Sequence, residues 1–196
     1  MKLEHVSKTI RHKVLFDDIS FQIHKGLYRL TGKNGSGKST LIRLLSGLSA
    51  FDNEKRLKLE GDVLFLDLNP IGLAPFSIKD NFYLLCKTYQ VKLTPELEAN
   101  VEAFFSDSYN DDYLHASVGT KLKLGLSLLL VKEWDYIFID ETLSTIDNDS
   151  LKIVAKQLVK LSKTSTIIYV FHNLSCLLLE QNSRILHIEG GKVREV

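Results

Sequence analysis

Residues 32–40 read Gly32-Lys33-Asn34-Gly35-Ser36-Gly37-Lys38-Ser39-Thr40, which is the spacing G-x-x-x-x-G-K-[ST]. Glycines let backbone N–H groups close around an anion with no Cβ in the way. A helix beginning behind such a loop adds unpaired N–H donors and the positive end of its dipole. In this pattern Lys38 reaches the β- and γ-phosphates and the Ser39 hydroxyl reaches Mg²⁺. The residues predict a chain that handles a nucleoside triphosphate and leave open what it does with it.

A second pair of candidates is Asp140-Glu141, directly after the apolar run Tyr136-Ile137-Phe138-Ile139. The C-terminal end of a strand is where open α/β sheets bind ligands. An Asp there holds Mg²⁺ through its water shell, and a Glu one residue on positions or deprotonates an attacking water. The other reading is that Asp-Glu only caps the next segment. His172 ends a second apolar run, residues 166–171, in the same way. From that edge it would reach a γ-phosphate, although a lone histidine is more often a satisfied core or surface residue.

These groups need a scaffold, and the pattern supplies one. Residues 14–16 and 19–23 have the near-alternating polarity of strands, and Gly26 breaks them before the strand that leads into the phosphate loop. Residues 38–47 read as a helix stopped by Gly47. Residues 51–56 read as a polar connection, and 57–66 as strands interrupted at Gly61-Asp62. Asn69-Pro70, Gly72 and Pro75 mark an irregular loop.

From Ser77 the texture becomes helical. Ser77-Ile78-Lys79-Asp80 opens like a capped helix, and Thr94-Pro95-Glu96 opens another with Pro in the first position. An acidic loop over 109–115 precedes a third helix over 119–131. Sheet character returns at 136–139 and 166–171, separated by the amphipathic stretch 151–161. Gly190-Gly191 sits inside a closing hairpin. The expected fold is α/β: a mainly parallel sheet, an antiparallel N-terminal β-subdomain, and an inserted helical subdomain at about 70–131. We read 1–196 as a single domain.

Composition narrows the partners. Lys+Arg 25 against Asp+Glu 24 leaves a net charge of +1, so nucleic acid is not expected as the main partner. The runs Lys55-Arg56 and 121–123 are too short to change that. Cys86 and Cys176 are isolated in apolar stretches, as buried thiols in a reducing compartment would be. No apolar leader is evident, and the longest apolar runs fall short of a membrane span.

Taken together, these motifs resemble the nucleotide-binding domain of ABC-type ATPases, a P-loop NTPase fold, over nearly the whole chain. Residues 14–21 are similar to that family's first hairpin, 32–40 to its Walker A, and 77–82 to its helix start after the Q-loop. Residues 136–141 resemble Walker B followed by the catalytic glutamate, 144–147 the D-loop with Asp147, and His172 the switch histidine. The terminal Gly190-Gly191-Lys192-Val193 matches the closing hairpin.

The resemblance implies ATP and Mg²⁺, with Lys38, Glu141 and His172 at the chemistry and Ser39 and Asp140 on the metal. It also implies a second nucleotide-binding domain, whose signature closes over this chain's ATP. Here the signature falls at 116–120; Ser117 and Gly119 keep the donors for γ-phosphate, while Val118 and Thr120 depart from the family's Gly and Gln. The Q-loop glutamine is replaced by Asp67-Leu68-Asn69, the proline after the glutamate by Thr142, and the adenine-stacking aromatic by Ile10, with Arg11 and His12 beside it.

The expected activity is ATP hydrolysis by a subunit on the cytoplasmic face of a membrane, powering transport through a separate integral membrane subunit. Export of a peptide, bacteriocin or lipid follows from likeness to small export-type subunits. Two alternatives are a soluble assembly ATPase of the metallocluster kind and a slow, nucleotide-gated half of a heterodimer.

Overall fold

The computed structural model describes residues 1–52, 56–171 and 176–196. Six strands form one sheet in the order β4-β5-β6-β3-β7-β8, and β1 and β2 form a separate two-stranded sheet. The sheet strands are β3 (Gly26–Gly32), β4 (Val63–Leu66), β5 (Tyr136–Asp140), β6 (Thr166–Val170), β7 (Arg184–Glu189) and β8 (Lys192–Glu195). All neighbours pair parallel except β7 and β8, which close as an antiparallel hairpin.

Alternation along the central strands sorts side chains to two faces. Leu27, Ile137, Ile139, Ile167 and Tyr169 face one core together with residues of α2 (Ile78–Thr88), α3 (Pro95–Phe105), α4 (Val118–Val131), α5 (Asn148–Leu161) and α6 (Leu177–Asn182). Tyr28, Leu30, Phe138, Ile168 and Val170 face the other, with α1 (Lys38–Leu45) and the β1–β2 hairpin. Both faces of the parallel sheet are covered, as its continuous apolar strands require.

The helix signals act as their chemistry dictates. The Ser77 hydroxyl accepts from Asp80 N at 3.0 Å while Ser77 N donates to Asp80 Oδ2 at 3.3 Å, a closed capping box. Thr94 caps α3 with Pro95 in its first turn, and Gly47 follows the end of α1 at φ 75°. α4 buries nearly its whole circumference, and Gln157 of α5 donates to Leu129 O at 2.8 Å.

Several elements differ from the sequence expectation. β1 (Lys2–Ile10) was not foreseen, and the two strand segments after residue 13 are one strand, β2 (Lys13–Gln22). Register shifts between Leu3 and Val6, and His5 at φ 50°, bury residues three apart, so β1 lacks a period of two. The turn joining the two strands is Arg11-His12, both at positive φ, with no Asn or Gly to announce it.

Of 57–66 only Val63–Leu66 is a strand. Phe51 is buried in a connection expected to be polar, and Tyr109 is buried in a 3₁₀ turn (Ser106–Asn110) where the acidic loop was placed. α6 was not anticipated either. Both cysteines are free thiols, Cys86 buried and Cys176 half-buried.

Candidate active site

β3 is central in the sheet, and its C-terminal end runs straight into residues 32–37 and α1. Gly32 has φ 148°, and a Cβ there would stand 2.7 Å from Ser36 Oγ and 2.8 Å from Ile188 O, so no larger residue fits. Ser36 N donates to Lys33 O at 3.1 Å, which turns the loop back on itself. Gly37 is the N-cap of α1; the helix has no side-chain cap and no acidic residue in its first turn. Its amide donors and dipole therefore face the loop with no carboxylate from the helix's own first turn beside them.

Lys38 is buried, and its ammonium arches over the loop to Gly32 O at 2.9 Å and Lys33 O at 3.3 Å. The side chain is thus folded into the concavity that the loop surrounds. Ser36 Oγ is buried without a partner among the described residues. Lys33, Asn34, Gly35 and Ser39 are exposed, with Thr40 half-buried behind them.

β5 is separated from β3 by β6, so Asp140 ends its strand on the same edge of the sheet as the loop. Burial raises the Asp140 pKa; the Ser39 hydroxyl bonded to it opposes this, and the nearby Glu141 and Asp67 charges add to it. Asp140 Oδ1 is buried and unpartnered among the described residues. A buried carboxylate oxygen beside a serine hydroxyl is the oxygen-rich donor set that suits Mg²⁺. Among the described residues no group of three or more His, Cys, Asp or Glu is placed to hold a metal.

Glu141 follows at φ 61° and, half-buried, lines the same cleft as the phosphate loop. That cleft has a volume of about 980 Å³, and its other wall is the β1–β2 turn: Ile10, Arg11, Lys13 and Leu15. Lys13 and Leu15 were not singled out from sequence, because only the folded hairpin brings them to the loop. Phe16 and Leu15 lie within 3.6 Å of where a Gly37 Cβ would be, which fixes that wall against the loop. The switch-histidine candidate, His172, lies outside the described residues.

The remaining candidates stand apart from this cleft. Ser117 is the exposed N-cap of α4, accepting from Thr120 N at 3.0 Å. Gly119 approaches Thr145 O so closely that a Cβ would be 3.0 Å away. Asp147 caps α5 through Ser150 N at 2.8 Å and Ser150 Oγ at 2.7 Å, contacts that pull its pKa down to about 2. Ser117, Gly119 and Asp147 share a second cavity of about 560 Å³, which contains no residue of the phosphate loop. At the Q-loop position, Asp67 is engaged by Arg43 at 2.6 Å and by Asn69 N and Nδ2, both at 2.9 Å.

Known proteins resemble this chain in sequence and fold. A family model described as ABC transporter matches residues 16–144. The teichoic acids export ATP-binding protein TagH of Staphylococcus haemolyticus is 30% identical, over 91% of this chain and 69% of that protein. The capsule polysaccharide export ATP-binding protein CtrD of Neisseria meningitidis serogroup B is 30% identical, over 90% of this chain and 85% of that protein. Among solved structures, the dimeric post-hydrolysis state of the ATP-binding cassette MJ0796 bound to ADP and Pi superposes with a TM-score of 0.76. The two are 20% identical, and the match covers 100% of this chain and 97% of that one. A phosphate loop at the centre of a mixed sheet, an acidic pair on the same edge and the match over two-thirds of the sequence lead to one conclusion: the chain belongs to the ABC transporter family and is an ATP-binding ATPase of that family.

Proposed function

We propose that this chain is the ATP-hydrolysing subunit of a membrane transporter, acting as a single nucleotide-binding domain over 1–196 with a helical insertion at 70–131. The observation that carries the reading is the shared cleft: Glu141, at the end of β5, lines it together with Gly35, Gly37, Lys38, Ser39 and Thr40. In it, the amides of 32–40 and the Lys38 ammonium hold the triphosphate. Ser39 and Asp140 would hold Mg²⁺, which when bound supplies charge neutralisation at the phosphates. Glu141 orients the attacking water and takes its proton; His172 would support the γ-phosphate. The protein's contribution is positioning and fixed charge in a partly desolvated cleft.

Ser117 and Gly119 line a cavity apart from this chain's own cleft, which leaves them placed to meet nucleotide held by another chain. This supports a reading in which two nucleotide-binding domains close face to face over ATP, with Asp147 at the same face. Coupling to an integral membrane subunit follows from the relatives, whose names assign them to export of teichoic acids and capsule polysaccharide. Export is accordingly the direction we favour. Among the described residues no helix is long and apolar enough to cross a membrane.

The test is steady-state turnover of Mg-ATP by the wild type and by Glu141→Gln. The variant should bind ATP with wild-type affinity and lose turnover by about 10²-fold or more, the scale of a lost general base. Equal turnover in both would overturn the assignment. A slow, nucleotide-gated role is favoured by one feature, the Asp67 carboxylate tied to Arg43 and Asn69 where a glutamine is usual. A wild type as slow as Glu141→Gln, alone and with its partner, is the result that reading expects.

A further inference from the structure

The second cavity contains a charged group that the proposed chemistry does not use. Lys123, on α4, is only 8% exposed. Its Nζ lies 3.6 Å from Asp147 Oδ2, and 4.7 Å and 5.6 Å from the ring centroids of Phe104 and Phe105 at the end of α3. Among the described residues lining this cavity it is the only cation; the carboxylates there are Asp147 and Asp149. Burial pulls the Lys123 pKa down and Asp147 opposes that pull. The ammonium therefore faces one carboxylate and two aromatic faces, each of which favours positive charge.

A Leu or Met would fill this position without the desolvation cost of a buried charge. What an apolar side chain lacks is direction: an ion pair fixes where its partner points. Asp147 is already held on its other side by Ser150, and Gly119 packs so closely on Thr145 that a Cβ there would stand 3.0 Å from Thr145 O. One ammonium thus joins the end of α3, the second turn of α4 and the 145–147 segment.

We propose that Lys123 is a positioning residue that clamps the Asp147 segment to the Ser117–Gly119 turn, so that both meet the opposing chain's nucleotide as one rigid face. This rests on the composite-site reading above. Lys123 touches no nucleotide in it, and acts through Asp147 and α4.

The test compares Lys123→Met and Lys123→Arg with wild type. For Lys123→Met, affinity of the single chain for a fluorescent ATP analogue should stay within about twofold, because the phosphate loop is elsewhere, while kcat falls at least about tenfold with KM little changed. Amide exchange over 142–150 should quicken, and Lys123→Arg should return kcat to within about threefold of wild type. Wild-type kcat in Lys123→Met would overturn the proposal. So would a parallel loss of thermal stability, analogue affinity and kcat, which marks a packing role, or a failure of Arg to rescue. If Lys123→Met does not fold, Lys123→Gln carries the same comparison. A wild type that neither hydrolyses ATP nor dimerises with it would remove the composite-site reading itself, a result distinct from any change at Lys123.

Discussion

Glu141 occupies the left-handed backbone region at φ 61°, where a residue with a Cβ is uncommon and costs roughly 1–2 kcal/mol. Its amide donates to Val170 O at 3.3 Å and its carbonyl accepts from Ser144 N at 3.0 Å, so neighbouring strand and turn hold it there. Strain at a carboxylate beside a phosphate loop is what a site selected for activity accumulates. Glu141→Gly should therefore abolish turnover while leaving the thermal midpoint unchanged or a few degrees higher, at about 2–4 °C per kcal/mol for a chain of this size. Calorimetry alongside an ATPase assay checks both halves. On the opposite wall Ile10 is 40% exposed to the cleft, with no ring to stack on a base. Ile10→Tyr should tighten ATP binding several-fold, since a stacked base contributes about 1–3 kcal/mol in full and less at an exposed rim. Titration with a fluorescent analogue reads the change.

At the scale of elements, the site depends on how helices begin. α1 begins with bare amides, the end proposed to receive phosphate; α5 begins with Asp147, whose carboxylate accepts from Ser150 N and Oγ. Removing that cap in Asp147→Ala should cost about 1 kcal/mol at neutral pH. Because the folded-state pKa is depressed to about 2, the carboxylate's contribution is complete above the unfolded value near 3.9 and is lost as pH falls from there toward 2. The midpoint difference between wild type and Asp147→Ala should shrink over that window and not above it.

Elements with a strong local signal were legible in the sequence: the capping box at Ser77, Pro95 at a helix start, the apolar runs of β5 and β6, and the glycines of the loop. β1 was not, because its bulge breaks the alternation, nor was the Arg11-His12 turn, which carries no turn chemistry. The loop and acidic pair were legible because each is contiguous in sequence. The cleft's outer wall and the Lys123–Asp147 pair were not, because only tertiary packing brings their members together.

At the scale of the whole molecule, two cavities divide the candidate residues. One holds the phosphate loop and Glu141; the other holds Ser117, Gly119 and Asp147. Neither contains the full set that phosphoryl transfer to water would use in the proposed reading, and two copies facing one another would complete both. The most direct test of this account is the mass in solution of Glu141→Gln, which should keep ATP bound without consuming it. The account predicts one chain's mass without nucleotide and twice that mass with saturating Mg-ATP, reversed when Lys38→Ala is added. A single-chain mass at saturating, demonstrably bound ATP would contradict it.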